Sequence, residues 1–170
     1  MNKIAQFEKV SFEQFKKDWL DVFPQTNECD LKQIYEDIKL PQRATTGSAG
    51  YDFYAPVDLE IKPKTNIKVP TGIRVKIEEG YFLGIFPRSG LGFKFRLQLD
   101  NTVGIIDADY YNATNEGHIM AKITCDSNEN KSVNITKGNG FLQGIFIPFG
   151  ITFDDNTDGV RTGGFGSTTK

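Results

Sequence analysis

Short β-type segments, separated by glycine and proline, dominate the chain from Gly47 onward and restrict the folds that are open to it. Ile73, Val75 and Ile77 alternate with basic residues, as in a strand with one buried face, and residues 81–86 are apolar on both faces. With 170 residues, of which 38% are hydrophobic and 25% charged, the chain can bury one ordinary core. The pattern predicts a single all-β domain.

The first part of the chain has helical rather than strand signals. Ser11 and Gln14 have the spacing of a capping box, and apolar residues at helical spacing follow until Pro24. Asp30 and Gln33 predict the start of a second short helix. The apolar residues of the first helix are Phe12, Phe15, Trp19 and Val22, and those of the second are Leu31, Ile34, Tyr35 and Ile38. We expect this pair to be buried against the β domain, and a protein partner at these helices is the alternative.

Charge and cysteine content exclude several classes of protein. The net charge of −2 argues against a general surface for nucleic acid or anionic membranes, so any phosphate must be met by local groups. Cys29 and Cys125 are far apart and His118 is the single histidine, which indicates neither a disulfide framework nor a Cys/His zinc site. No targeting segment or membrane span is recognisable. We expect a cytoplasmic protein with a small ligand, and neither nucleic acid nor membrane as partner.

The stretch from Asn101 to Tyr110 has the composition of a pocket for a flat polar ring joined to a sugar. It contains an amide, apolar residues, Asp107 and an aromatic ring, and Gly104 allows the backbone to approach a ligand closely. We interpret it as a β-hairpin that receives the ligand. An Asp-x-Asp sequence that only ends a strand and solvates a turn is the simpler alternative, and the other segments decide between the two.

Four further segments carry groups that suit phosphate or nucleotide binding. A small-residue turn leads to an acid in Ser48-Ala49-Gly50-Tyr51-Asp52. A guanidinium, a hydroxyl and backbone N–H groups can converge on phosphate oxygens in Pro87-Arg88-Ser89-Gly90-Leu91. An amide that needs a partner lies in the otherwise apolar strand of Gly138-Asn139-Gly140-Phe141-Leu142-Gln143. Groups that suit closure over a nucleotide lie in Arg161-Thr162-Gly163-Gly164-Phe165-Gly166-Ser167-Thr168.

Taken in order, these segments resemble those of the homotrimeric dUTPase family, the deoxyuridine 5′-triphosphate nucleotidohydrolases. The resemblance covers the chain from about Ile38 to Lys170. It implies a jelly-roll-like β domain over residues 38–153 and a flexible C-terminal arm over residues 154–170, while residues 1–37 lie outside it as a short N-terminal helical extension. It also implies hydrolysis of dUTP to dUMP and pyrophosphate, which keeps uracil out of DNA. The resemblance further implies a homotrimer with active sites shared between chains, and the apolar faces of residues 141–149 fit a subunit interface.

The resemblance assigns roles to individual residues. Asp107 resembles the carboxylate that acts as general base on the attacking water, and Tyr110 resembles the ring under the deoxyribose. The residues that resemble the uracil-reading hairpin are Asn101, Gly104, Ile105 and Ile106. Those that resemble phosphate-contacting groups are Arg88, Ser89, Gly90 and Gln143. Those of the arm that are implied to bind the γ-phosphate and cover the uracil are Arg161, Phe165, Gly166 and Ser167.

The cofactor implied by the resemblance is Mg2+ carried by the triphosphate of the substrate. No side chain need ligate the ion directly, since Mg2+ retains several water molecules, and Asp52 resembles the acid that orders this water. The chain departs from the family pattern in an insertion at Tyr111–His118 and in the bulky run Gly92-Phe93-Lys94-Phe95. It departs again at Asn139 and Phe141 in the fourth segment. These departures change the expected shape of the pocket rim, but they do not change the class of protein that the resemblance implies.

Three other functions are compatible with a chain of this kind. One is a related dCTP deaminase, against which the uracil-type hairpin and the complete glycine-rich arm both argue. Another is a nucleotide-switched signalling or repressor-binding protein, in which the N-terminal helices meet the partner. The last is a structural trimer with an inactive site, which the joint presence of Asp107, Arg88, Ser89 and Phe165 disfavours.

Overall fold

The computed structural model describes residues 2–159, 161 and 163. The chain begins with strand β1 (Ala5–Lys9), helix α1 (Phe12–Val22) and helix α2 (Glu28–Asp37). The elements that follow are β2 (Gln42–Arg43), β3 (Tyr51–Tyr54), β4 (Leu59–Ile61), β5 (Asn66–Pro70), β6 (Ile73–Ile77), β7 (Tyr81–Pro87), α3 (Ser89–Phe95), β8 (Leu97–Leu99), β9 (Gly104–Ile106), a 3-10 helix (Ala108–Asn112), β10 (Met120–Cys125), β11 (Val133–Ile135) and β12 (Gly140–Pro148). Among the described residues, no helix is both long and apolar enough to span a membrane.

The strands pair antiparallel in four sheets. The largest has the order β2-β3-β12-β7-β9, and a second has the order β5-β10-β8. Two further sheets are the pairs β1-β6 and β4-β11. The core that they enclose includes the fully buried side chains of Phe53, Leu83, Ile123 and Phe141. The all-β prediction is therefore confirmed.

The stretch from Asn101 to Tyr110 is not a β-hairpin, and that interpretation is wrong. β8 pairs with β10, whereas β9 pairs with β7, so residues 100–103 form a turn that crosses from one sheet to another. After β9 the chain enters the 3-10 helix instead of a returning strand. The physical reason is that the apolar residues before and after the turn are buried in different sheets. β9 is left at the edge of the five-stranded sheet.

A β-bulge changes the faces of β12. The pairing register with β3 shifts between Gly140 and Leu142, so Phe141 is the extra residue and both Phe141 and Leu142 are fully buried. Beyond the bulge the strand alternates regularly against β7. Its outer face, which we call the outer apolar face, is formed with β7 and β9 and continues to Phe149. It consists of Phe82, Phe86, Ile105, Ile145, Ile147 and Phe149.

Strand β1 is the element that the sequence did not indicate. It pairs with β6, and the ring of Phe7 lies 5.3 Å from that of Tyr51 and 5.7 Å from those of Phe53 and Phe146. Phe7 is the single large apolar side chain among its five residues, so no alternating pattern is visible. The N-terminal segment therefore contains a strand of the β structure as well as the two predicted helices.

Both helices lie against the β structure. α1 begins as predicted, because Ser11 Oγ accepts a hydrogen bond from the Gln14 N–H at 3.1 Å. Its rings Phe15 and Trp19 are 0% and 2% exposed. α2 begins at Glu28 and not at Asp30, since the Asn27 side chain accepts a hydrogen bond from the Asp30 N–H at 2.9 Å and caps the helix.

Truncation of Phe15 tests how much the N-terminal helices contribute to stability. Phe15→Ala should lower the free energy of unfolding by about 3–5 kcal/mol, because it leaves a cavity in a closed contact between helix and sheet. Urea titration at constant m-value measures this. Phe93→Ala is the matched control, since Phe93 is 94% exposed, and it should change stability by less than about 0.5 kcal/mol. Equal loss in both variants would contradict the burial argument.

Candidate active site

Four predicted phosphate-contacting residues and the acid predicted to order water around Mg2+ meet at the junction of β3, β7 and β12, and we call these five residues the arginine cluster. They are Asp52, Arg88, Ser89, Gly90 and Gln143. The Arg88 Nε lies 3.3 Å from Asp52 Oδ1, and Asp52 is opposite Gln143 in the register of β3 and β12. The Gln143 amide donates to the Pro87 carbonyl at 3.2 Å. A cavity of about 200 Å³ is lined by Asp52, Arg88, Ser89 and Gln143 together with Ser48 and Gly50.

Two glycines give the arginine cluster its shape. A Cβ at Gly50 would lie 2.7 Å from Gln143 Oε1, and a Cβ at Gly140 would lie 2.7 Å from Arg88 Nη1. The Arg88 guanidinium also donates to the Gly140 carbonyl at 3.2 Å. The Gln143 side chain therefore lies directly against the backbone of Gly50, and the Arg88 side chain lies against that of Gly140. Their glycines belong to segments that the sequence singled out, but the sequence did not assign a role to either one.

The N–H groups of Ser89 and Gly90 lie in the first turn of α3. Such N–H groups have no acceptor within their own helix, and they are available to an anion. A Cβ at Gly90 would meet nothing within 4 Å, so the approach to this turn is open. A second cavity of about 380 Å³ extends from here along Asn134 and Asn139. The arrangement can accommodate phosphate oxygens, which is the role that the resemblance implied for Ser89 and Gly90.

The predicted base-reading residues lie on β9, at the edge of the large sheet. One edge of β9 pairs with β7, and the other faces no strand in the described part of the chain. Gly104 is packed so closely that a Cβ would lie 3.1 Å from the Ile85 Cβ, whereas Ile105 is 52% exposed. Asn101 lies in the exposed turn before the strand. The backbone of this edge can hydrogen-bond to a ligand.

Asp107 follows β9 directly and forms an ion pair with Arg161 of its own chain. The Arg161 Nη2 lies 2.6 Å from Asp107 Oδ2, and its Nε lies 2.8 Å from Asp109 Oδ1. The guanidinium also lies 5.7 Å from the centre of the Tyr110 ring. The sequence placed Arg161 at the γ-phosphate and gave Asp109 no role, because a second acid in a turn carries no signal of its own. The other arm predictions, Phe165–Ser167, lie outside the described residues.

The Tyr110 hydroxyl both donates and accepts a hydrogen bond. The hydroxyl donates to the His118 carbonyl at 2.8 Å and accepts from the Asn115 amide at 2.7 Å. With Arg161 in place the residue is only 3% exposed. Burial raises the pKa of the phenol above its usual value, so the ring is neutral at pH 7. The ring is held rigidly next to the turn that begins at Asp107, and the Arg161 guanidinium lies over it.

The insertion at Tyr111–His118, which we call the return loop, contacts the N-terminal segment. Glu116 accepts hydrogen bonds from the Ser11 N–H at 2.7 Å and from Ser11 Oγ at 2.6 Å. Burial alone would raise the pKa of the Glu116 carboxyl, but the Ser11 hydrogen bonds and the charge of Arg74 hold it below its usual value. The two parts of the chain that depart from the family pattern therefore bind to each other.

Asp107 and the arginine cluster of one chain lie near opposite ends of β7. Ile106 is paired with Leu83, which puts Asp107 beside Phe82, and Arg88 follows the far end of the strand. Six residues of extended chain separate Phe82 from Arg88, or about 20 Å at the usual rise per residue. A single phosphate cannot touch both groups of one chain.

Among the described residues, no group of three or more acids, histidines or cysteines could hold a metal ion.

An open strand edge, a carboxylate beside an arginine and a cluster of phosphate-type donors are features that suit a nucleotide-binding β domain. The dUTPase family model matches residues 36–169, and the chain belongs to the dUTPase family. The deoxyuridine 5′-triphosphate nucleotidohydrolase of Lactococcus lactis is 40% identical to it over 134 residues, which cover 77% of this chain and 88% of that protein. The resemblance stated from the sequence is thus confirmed.

Solved structures support the same fold. The dUTPase from Streptococcus mutans matches with a TM-score of 0.63 at 33% identity, over 86% of this chain and 97% of that one. A mutant dUTPase from phage phi11 of Staphylococcus aureus, described with a structural Mg(II) ion, matches with a TM-score of 0.61 over 92% of this chain and 98% of its own. At 18% identity, the second match shows a shared fold alone.

The Glu116 contact makes a prediction about acid stability. The pKa of Glu116 is below its usual value of 4.5 in the folded chain, so its charged form stabilises the fold above that pH, and the contribution is lost as pH falls through the folded pKa. Glu116→Gln should cost about 1 kcal/mol at pH 7, and the difference from the parent should shrink below pH 4. Urea unfolding at several pH values measures it. Glu79→Gln, in an exposed turn, is the control, and a pH-independent difference at Glu116 would contradict the assignment.

Proposed function

We propose that this protein hydrolyses dUTP to dUMP and pyrophosphate and thereby keeps uracil out of DNA. The observation that carries the proposal is the half-buried carboxylate of Asp107, which directly follows the open edge of β9 and precedes the ring of Tyr110. Membership of the dUTPase family and the nucleotidohydrolase name of its relatives support it. A dCTP deaminase is not favoured by these matches.

The open edge of β9 supplies the base recognition in this proposal. Those backbone N–H and C=O groups of Gly104, Ile105 and Ile106 that point away from β7, with the Asn101 amide, hydrogen-bond to the edge of uracil. Uracil presents a carbonyl acceptor where cytosine presents an amino donor, so an edge arranged for one leaves unpaired groups with the other. The Tyr110 ring lies against the deoxyribose, where a 2′-hydroxyl would collide with it. The first contact excludes cytosine and the second excludes a ribose, so together they select dUTP.

Asp107 is the general base in the proposed reaction. It accepts a proton from the water that attacks the α-phosphorus, and negative charge then develops on the α-phosphoryl oxygens and the leaving pyrophosphate. Arg161 donates to Asp107 Oδ2, so it must release this carboxylate before Asp107 can accept the proton of the water, and the γ-phosphate is the anion that attracts it. Arg88, the Ser89 hydroxyl and the first-turn N–H groups of α3 stabilise the developing charge.

Mg2+ fits this site as an ion carried by the substrate. In the described residues the acid nearest the phosphate donors is Asp52, whose carboxylate is paired with Arg88 at 3.3 Å. Such a singly paired acid can hold a water molecule of the ion's shell but cannot form a protein cage. When bound, Mg2+ would neutralise charge on the triphosphate oxygens.

Cys29 and Cys125 are free thiols that form no disulfide, which fits the proposed cytoplasmic setting.

The active form in this proposal is a homotrimer with shared sites. Because about 20 Å of β7 separates Asp107 from Arg88 within a chain, the two must meet around one triphosphate from different chains. The outer apolar face provides the interface, since Ile105 and Phe149 are each 52% exposed in the single chain. Burying this face in a closed assembly removes it from water.

Substitution of Asp107 tests the proposed reaction. Asp107→Asn should lower dUTP turnover by about 100- to 10,000-fold with little change in nucleotide binding, as loss of a general base does. Pyrophosphate release and calorimetric titration with dUTP measure the two effects. Asp109→Asn is the matched control, because Asp109 shares the contact with Arg161 and has no role in the chemistry. Near-parental turnover of Asp107→Asn, or ammonia release from dCTP by the parent, would contradict the proposal.

Mixed trimers test the sharing of sites. Asp107→Asn and Arg88→Ala should each be nearly inactive as homotrimers, because every pocket lacks the base or a phosphate ligand. Refolded together, some pockets should receive an intact Asp107 from one chain and an intact Arg88 from another, so a measurable part of the activity should return. Native mass spectrometry establishes that mixed trimers have formed. Their complete inactivity would mean that both residues of a pocket come from one chain.

A further inference from the structure

Three polar contacts join the N-terminal segment to the return loop. Ser11 binds Glu116 through both its backbone and its side chain, as described above. The Tyr111 hydroxyl donates to Glu8 Oε2 at 2.7 Å. The third contact is the closest to the active site, where His118 Nδ1 lies 2.6 Å from Asp18 Oδ2 on α1. The return loop is therefore attached to the N-terminal segment.

His118 is fixed on both sides of its ring. The residue is fully buried, and Nε2 accepts a hydrogen bond from the Gly72 N–H at 2.8 Å. Since Nε2 accepts, the ring proton is on Nδ1 and is donated to Asp18. A Cβ at Gly72 would lie 2.3 Å from Ile38 Cδ1, so the chain is tightly packed on that side too. The imidazole has no freedom to turn while α1 is in place.

Hydrogen bonds of the His118 backbone link the fixed position of this residue to Tyr110, the ring proposed to contact the sugar. Its carbonyl accepts the Tyr110 hydroxyl, and its N–H donates to the Asn115 carbonyl at 3.0 Å. The Asn115 amide is the second partner of the Tyr110 hydroxyl. Tyr110 in turn donates its N–H to the Asp107 carbonyl at 3.2 Å. The position of the ring, and of the turn that begins at Asp107, thus depends on where His118 is held.

We propose that α1 positions the sugar pocket, with Asp18 as a positioning residue that acts through His118 on Tyr110. The N-terminal segment would then determine how strictly a 2′-hydroxyl is excluded, an inference that rests on the proposed function of the site. A ring excludes one extra hydroxyl only if it cannot retreat, and a displacement of about 1 Å is enough to weaken such exclusion. The N-terminal segment is in this view a specificity element of the pocket and not only a stabilising layer.

The matched pair Asp18 and Asp21 tests the inference. Both lie on α1 and both bind the β structure, but Asp21 does so through Lys68 at 3.4 Å, away from the return loop. We expect Asp18→Ala to lower the ratio of kcat/KM for dUTP over UTP by about 10-fold, mainly through a lower KM for UTP. Asp21→Ala should leave the ratio within about twofold of the parent. Asp18→Asn should retain most of it, because its amide oxygen can still accept the His118 proton.

The ratio separates positioning from simple destabilisation. Both substrates compete for the same folded molecules, so the fraction of folded enzyme cancels, whereas a merely structural role would lower both values together. A parental ratio in Asp18→Ala overturns the inference. If that variant does not fold, Ser11→Ala replaces it, since it removes one of the Glu116 contacts at an exposed site, and an unchanged ratio there overturns the inference equally. A parent that does not hydrolyse dUTP overturns the proposed function instead.

Discussion

The pairing of β7 with β12 on one side and β9 on the other is the constraint on which the site depends. It fixes Asp107 near one end of the strand and Arg88 just beyond the other, and no side-chain motion can span about 20 Å of extended backbone. The same three strands form the outer apolar face. The sheet that separates these two groups within one chain therefore also carries an exposed apolar face, which the proposed function uses as the subunit interface.

The charged groups of the candidate site are paired with one another. Arg161 binds Asp107 and Asp109, and Arg88 binds Asp52. The Asp107 and Asp109 side chains are about half exposed, although that of Arg161 is only 15% exposed. Ion pairs that water can reach contribute little to stability and exchange readily for a better partner. In the proposed function, the triphosphate of the substrate is such a partner for both guanidinium groups.

Most of the local signals in the sequence were sufficient by themselves. The capping spacing of Ser11 and Gln14 predicted the start of α1, because a cap is made by residues within one turn. The segments around Arg88 and Gln143 were recognised in the same way, and the structure brings them together. The hairpin interpretation and the omission of β1 have a different origin. Strand partners are determined by burial across the whole domain. A short segment such as Ala5–Lys9 contains too few apolar residues to be recognised as a strand from its sequence.

The sequence by itself determined the β-rich class, the two helices, the family and the residue types of the site, because these depend on local periodicity and on short motifs. Only the tertiary structure decided that β9 is an edge strand, that Asp107 and Arg88 lie apart, and that Asp18 reaches His118 across 100 residues of chain. Such contacts join segments distant in sequence, and their partners become neighbours only when the core closes. Spacing along the chain therefore carries no record of them.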